Sequence, residues 1–207
     1  MNSYKTVLTK KELILMNLIY ISEVQTGLVL VRKRADAKDK DTHKYRMLTL
    51  KSFEPQGFLN ERELDVFFSK ENLEKKYLTN KGDIIVRLTT PYTAICINEK
   101  QEGLVIPSNF AIIRLKEQTY IPEFVALFLN SEIIEKKFFK SSISTTIPLI
   151  KTKHLREIDI SDIPLAMQKK IVELNQLQMK EKMLLSCLME EKEKLAKASI
   201  NKIIMEK

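Results

Sequence analysis

With 207 residues, of which 44% are hydrophobic and 30% charged, the chain has room for one globular domain plus an accessory element, and its apolar content excludes a disordered tail. Two well-separated cysteines, Cys96 and Cys187, and two histidines, His43 and His154, offer neither a C-x-x-C pattern nor a set of zinc ligands. The formal charge of +8 points to polyanionic partners once its location is known.

In chain order, Lys10-Lys11 followed by Leu13-Ile14-Leu15-Met16 faintly resembles a signal peptide, but Glu12 and Asn17 interrupt it, so a cytoplasmic location is expected. No run approaches the ~18 apolar residues of a membrane span. Residues 18–31, rich in β-branched side chains around Thr26-Gly27, predict two short strands. The charged stretch Arg32 to Lys44, with nothing apolar larger than alanine, predicts a loop or flexible arm outside the core. Tyr45 to Leu50 returns to strand composition, and Glu54 to Leu78 reads as mostly irregular with one short helix. After the turn Asn80-Lys81-Gly82-Asp83, the run Ile84 to Leu88 is the clearest strand, with Thr93 to Ile97 and Phe110 to Leu115 as neighbours.

Tyr120-Ile121-Pro122-Glu123 opens a helix with proline and then an acid, which suits the free amides and positive dipole end of a first turn. Phe124, Leu127, Phe128, Ile134 and Phe138 recur at helical spacing and form its core stripe. A hydroxyl-rich loop from Lys140 to Pro148 and a strand at Ile158 to Ile160 follow. From Ala166 to Glu206 there is no Gly or Pro, and alternate steps of three and four residues from Leu174 meet Leu177, Leu184, Leu188 and Leu195, with Glu181 and Glu191 between. A continuous helix of that length extends about 60 Å, too far for a small domain to cover. Leu174, Leu177, Leu184, Leu188 and Leu195 therefore predict a coiled-coil dimerisation seam whose polar positions restrict register. The expected fold is α+β: a mixed β-sheet domain with packed helices over residues 1–164, then a long coiled-coil helix over 165–207.

The charge is clustered. Residues 27–51 hold eight basic and three acidic residues, and the interval from Lys136 to Arg156 holds six basic residues and no acid. Clustered cations raise phosphate affinity through counterion release, so nucleic acid is the first partner to consider. Arg32, Lys33, Arg34, Lys44 and Arg46 suit phosphate or the O6 and N7 of guanine. Lys140, Ser141, Ser144, Thr145 and Lys151 combine cations with short hydroxyls, and Arg87, Thr89 and Tyr92, at the end of the clear strand, are expected between the two groups. Four glycines in all and no Pro-Pro leave no cofactor loop or catalytic tetrad for a methyltransferase, so no autonomous enzyme, cofactor or metal is expected. A coiled-coil scaffold whose basic domain binds RNA or another protein is the alternative.

The order of segments resembles a known family. Glu23-Val24-Gln25-Thr26-Gly27, Lys81-Gly82-Asp83-Ile84-Ile85-Val86-Arg87, Ile121-Pro122-Glu123-Phe124-Val125 with Leu129-Asn130-Ser131, Ser142 to Pro148, and Ile163-Pro164-Leu165 with Gln168-Lys169-Lys170-Ile171-Val172 are similar to the DNA-specificity subunit of type I restriction-modification systems. The chain resembles half of such a subunit, one target recognition domain and one helix. The resemblance implies a non-catalytic protein that reads one half of a split site in double-stranded DNA. It also implies helices that space two recognition domains, in a homodimer or with a second specificity chain, and that dock modification subunits. S-adenosylmethionine would belong to those subunits, and a restriction subunit would join the complex where the system has one. The chain departs from the family pattern at Thr89-Thr90-Pro91-Tyr92, where a Gly-containing loop is common, at the single Pro164, and at Ala166-Met167, where acids are common.

Overall fold

A computed structural model describes residues 15–36, 42–116, 118–142 and 149–205, with the side chains of residues 15, 141 and 142 left aside. The signal-like start at Lys10 to Ile14, most of the charged segment's middle, and Ser144 and Thr145 lie outside the described residues. The chain divides into two compact units, Met1–Leu165 and Ala166–Lys207.

The first unit has the expected α+β character. Strand β1 (Leu15–Asn17) leads into the short helix α1 (Leu18–Ile21) and strand β2 (Ser22–Thr26). Strands β3 (His43–Met47), β4 (Phe53–Glu54), β5 (Phe58–Leu59) and β6 (Asp65–Ser69) follow, then β7 (Ile84–Arg87), β8 (Ala94–Cys96) and β9 (Phe110–Leu115). Helices α2 (Pro122–Leu129), α3 (Glu132–Ser142) and α4 (Thr152–Arg156) precede the last strand, β10 (Asp159–Ser161). The main sheet has the order β2-β9-β7-β8, and β3-β6, β4-β5 and β1-β10 form separate antiparallel pairs. Among the described residues, parallel character is confined to isolated bridges, Leu28 to Pro107 and Met47 to Val105.

The central strands are covered on both faces. Ile85, Ile95, Ile112, Phe110 and Phe53 belong to one buried cluster, with the Phe53 and Phe110 rings stacked at 4.5 Å. Helix α2 packs across β7 and β8. This double burial explains why Ile84, Ile85 and Val86 read as an unbroken apolar run, since neither face must be polar. Each such side chain contributes roughly 1.5–3 kcal/mol.

Several expectations from sequence are corrected here. Only one strand forms around Thr26-Gly27: Leu30–Arg32 is a 3-10 turn, and Gly27 serves close approach instead of a hairpin. A Cβ on Gly27 would lie 2.2 Å from the Pro107 carbonyl oxygen, so no other residue passes there. The segment after Arg32 is no free arm at its start, because the Ala35 amide donates to Phe68 O at 2.9 Å, the Lys70 amide donates to Lys33 O at 3.0 Å, and Ala35 is buried. The stretch after Glu54 is more ordered than expected: it supplies β5 and β6, with 3-10 turns at Glu61–Glu63 and Lys75–Tyr77 between irregular segments. The single helix from Pro122 is two, broken at Asn130. There the Asn130 side chain receives the Ala94 amide at 2.7 Å and donates back to Ala94 O at 2.8 Å, satisfying the open edge of β8 as another strand would.

The Gly82-Asp83 turn is held by charge. Arg114 on β9 donates from Nε to Asp83 Oδ1 and from Nη2 to Asp83 Oδ2, both at 2.9 Å, and also to Leu78 O at 3.0 Å. Asp83 is only 4% exposed and takes the Asn80 amide as well, while Gly82 supplies the positive φ of 82° that the turn needs.

The second unit is the C-terminal part of helix α5 (Leu165–Met205), 41 residues without interruption. Among the described residues no helix is long and apolar enough to cross a membrane. Asp83→Ala should destabilise the first unit by about 3–5 kcal/mol by leaving Arg114 unpaired at the sheet. The expected readout is a lowered urea midpoint with an unchanged slope.

Candidate nucleic-acid interface

The first basic group is built on a ribbon. The register pairs Lys44 with Phe68 and Arg46 with Val66, so these four side chains share one face of β3-β6, while Tyr45, Met47 and Phe67 share the other. Met47 and Phe67 are buried in a small core cluster with Leu28, Leu73 and Val105, and Tyr45 packs against it. The Tyr45 hydroxyl receives the Leu73 amide at 3.1 Å. Lys44, Arg46 and Val66 are exposed. Arg46 Nη2 donates to Glu61 O at 3.3 Å and to Glu61 Oε2 at 3.5 Å, and Lys33 pairs with Glu71, which raises the Lys33 pKa through that hydrogen bond. Arg32 and Arg34 are exposed without an ion pair among the described residues. A cleft of about 730 Å³ opens beside the ribbon between the turn at Val29–Val31, residues 47–51 and residues 62–65, with Asn109 at its wall. The buried Asn109 Oδ1 has no hydrogen-bond partner among the described residues.

The second group forms where β7 ends. Leu149 bridges Thr89, and the Ile150 amide donates to Leu88 O at 2.9 Å. This brings Lys151, exposed just before α4, to the same end of the sheet as the Thr89 to Tyr92 turn. Lys140 is exposed and Ser141 follows it in the last turn of α3. A small cleft of about 310 Å³ is lined by Lys137, Phe138, Lys140, His154, Glu157 and Ile158. Sequence reasoning passed over His154, whose buried Nδ1 has no partner among the described residues. The group is less basic than a count from Lys136 to Arg156 suggests. Glu132 and Glu157, just outside that interval, pair with Lys136 and Lys153, and the Arg156 guanidinium donates to Val24 O at 2.7 Å.

Between the groups lies Arg87, with its donors engaged. Its Nη1 donates to Leu50 O at 3.3 Å, Nη2 to Thr90 O at 2.9 Å, and Nε to Thr89 Oγ1 at 3.3 Å. It therefore ties the loop after β3 to the turn that meets Leu149, and partial burial lowers its pKa. Tyr92 packs edge-on against Phe138, centroids 5.6 Å apart, and its buried hydroxyl has no partner among the described residues. Both side chains are engaged within the fold, Arg87 through carbonyls and the Thr89 hydroxyl and Tyr92 through the Phe138 ring. No signal in the sequence distinguishes a free arginine fork from an engaged one.

Chemistry of other kinds finds little footing. Burial pushes the Cys96 thiol up to about 12, so it is no nucleophile at neutral pH. Among the described residues no three His, Cys, Asp or Glu side chains converge to hold a metal ion.

On α5 the predicted seam is bare: Leu174, Leu177, Leu184, Leu188 and Leu195 are each 50–68% exposed. Leu185, Met189, Ile200 and Ile203 widen the apolar surface beyond the seam.

An α+β domain of this topology, followed by a long helix with an uncovered apolar seam, has the fold of the specificity subunits of type I restriction-modification systems. The HsdS subunit from Thermoanaerobacter tengcongensis aligns with a TM-score of 0.61 at 15% identity, covering 84% of this chain and 44% of that one. A structure of complex assembly and conformational transition in the type I R-M system aligns at 0.57 and 13%, covering 88% and 42%. The S subunit from M. genitalium aligns at 0.50 and 16%, covering 86% and 43%. The chain thus spans less than half the length of each. No protein-family model and no curated protein matches the sequence.

Arg87→Ala should lower thermal stability while leaving the salt dependence of duplex binding unchanged. Lys140→Ala and Lys151→Ala should each reduce the slope of log affinity against log salt by about 1, with stability kept, in fluorescence anisotropy titrations at several salt concentrations.

Proposed function

We propose that the protein is a sequence-specific DNA-binding specificity subunit of a type I restriction-modification complex, in a form with one target recognition domain. The observation that carries this reading is the joining, in one chain of specificity-subunit fold, of a domain with two cationic surfaces to a 41-residue helix whose leucines lie exposed. A duplex reader needs phosphate contacts for position and base-edge contacts for sequence. Lysines at the end of the main sheet and arginines beside the β3-β6 ribbon supply groups of both kinds.

In this reading the domain binds one half of a bipartite site in double-stranded DNA. The helix pairs through Leu174, Leu177, Leu184, Leu188 and Leu195 with a second copy or another specificity chain, so that two domains address the two halves. An antiparallel pairing sets them at opposite ends and gives a two-fold symmetric, interrupted site. The protein catalyses nothing itself. It positions modification subunits, which bring S-adenosylmethionine, and a restriction subunit where the system has one, in the cytoplasm.

Selection from a random duplex pool by the purified chain with its modification subunit should enrich an interrupted motif. Recovery of no motif would instead favour a scaffold that binds RNA or protein through the same cations. In sedimentation equilibrium at high micromolar concentration the chain should be a dimer, and Leu184→Glu with Leu188→Glu should render it monomeric without altering the thermal transition of the domain. A doubly substituted chain that still dimerises would remove the seam from the interface.

A further inference from the structure

We infer that the outer face of the β3-β6 ribbon is the base-reading element, and that Val66 on it recognises the 5-methyl group of a thymine in the major groove. The inference rests on the reading of the protein as a DNA-specificity subunit. It assigns to Val66 a discriminating role that the cations alone cannot fill.

The geometry of the ribbon carries the argument. A two-stranded antiparallel ribbon is narrow enough to enter the major groove. Its inner face is fixed by the burial of Met47 and Phe67, the outer edge of β6 is tied by the Ala35 and Lys70 amide hydrogen bonds, and the outer edge of β3 is tied near its end by the Val105 amide, which donates to Arg46 O at 2.9 Å. The outer face is thereby held in one geometry, which a reading element requires. That face places Arg46 directly across from Val66 and Lys44 across from half-buried Phe68. Val66 is 43% exposed, an apolar side chain set among cations on a surface where a solvated strand would carry a polar residue. Cations beside an apolar contact match the duplex: phosphates flank a groove in which thymine alone presents a methyl group. Lys140 and Lys151, at the other surface, are point charges on flexible stems and suit phosphates rather than base edges.

The test takes the motif enriched by the full chain with its modification subunit, and replaces each thymine of one half-site, singly, by uracil. Removing the methyl group should weaken wild-type binding about four-fold at one position, the worth of one buried methyl or methylene group. Val66→Ala should bind the thymine duplex less tightly and lose less with uracil than the wild type; should Ala disturb the strand, Val66→Asn, which has no methyl group, should lose nothing with uracil. Wild-type indifference to uracil at every position would overturn the inference and leave the specificity-subunit reading standing. Equal sensitivity of wild type and both variants would do the same. Failure of the wild type to enrich any motif would overturn both.

Discussion

The sheet at the centre of the domain depends on the bidentate pair between Asp83 and Arg114. Asp83 caps the turn that launches β7, and Arg114 rises from β9 beside it, so one ion pair fixes the entry of the central strand against its neighbour. Burial makes the pair costly to form and more costly to break. Its added bonds to Leu78 O and the Asn80 amide satisfy the remaining polar capacity and set where the chain from β6 arrives. The second cationic group hangs from β7: Arg87 ends the strand, the Thr89 to Tyr92 turn follows it, and Leu149 bridges Thr89 just before Lys151.

The motif residues that bring the specificity subunits to mind are mostly structural in this chain. Gly82 and Asp83 build a turn, Asn130 satisfies the edge of β8, and Gly27 lets the backbone pass the carbonyls of Ile106 and Pro107. Such positions shape the domain's scaffold through contacts within it. The surfaces open to a ligand carry other residues, among them Arg32, Lys44, Val66 and Lys151, none of which belongs to those motifs. Under the proposed function, that separation would let the reading surfaces change while the scaffold is kept.

Legibility from sequence followed burial. Ile84 to Leu88 was plain because β7 is covered on both faces, and α5 was plain because 41 residues lack Gly and Pro. Strand β6 was hidden because Val66, Phe67 and Phe68 put apolar side chains on both faces while only Phe67 is fully buried, which blurs the period of two. The helix break at Asn130 was hidden because its cause is a strand 36 residues away. For the candidate site, the clustering of cations was legible and their commitments were not. Arg87 and Arg156 spend their forks on carbonyls distant in sequence, and Glu132 and Glu157 sit just beyond the interval that seemed purely basic.

The pairing of β1 with β10 has a consequence for how the protein comes to be made. Leu15 aligns with Ser161, Asn17 donates to Asp159 at 3.0 Å, and the Leu18 amide donates to Ile158 O at 2.8 Å. The first described strand therefore finds its partner only when the last strand has been synthesised. Closing so long a loop is slow, and a domain of such non-local pairing folds late. On a ribosome, β1 waits until β10 has been made, and the leucine-rich helix follows β10 within a few residues. Completion of the domain and exposure of its apolar helix thus fall close together in time, so a partner helix met soon after synthesis would shorten the interval in which that surface is open to aggregation.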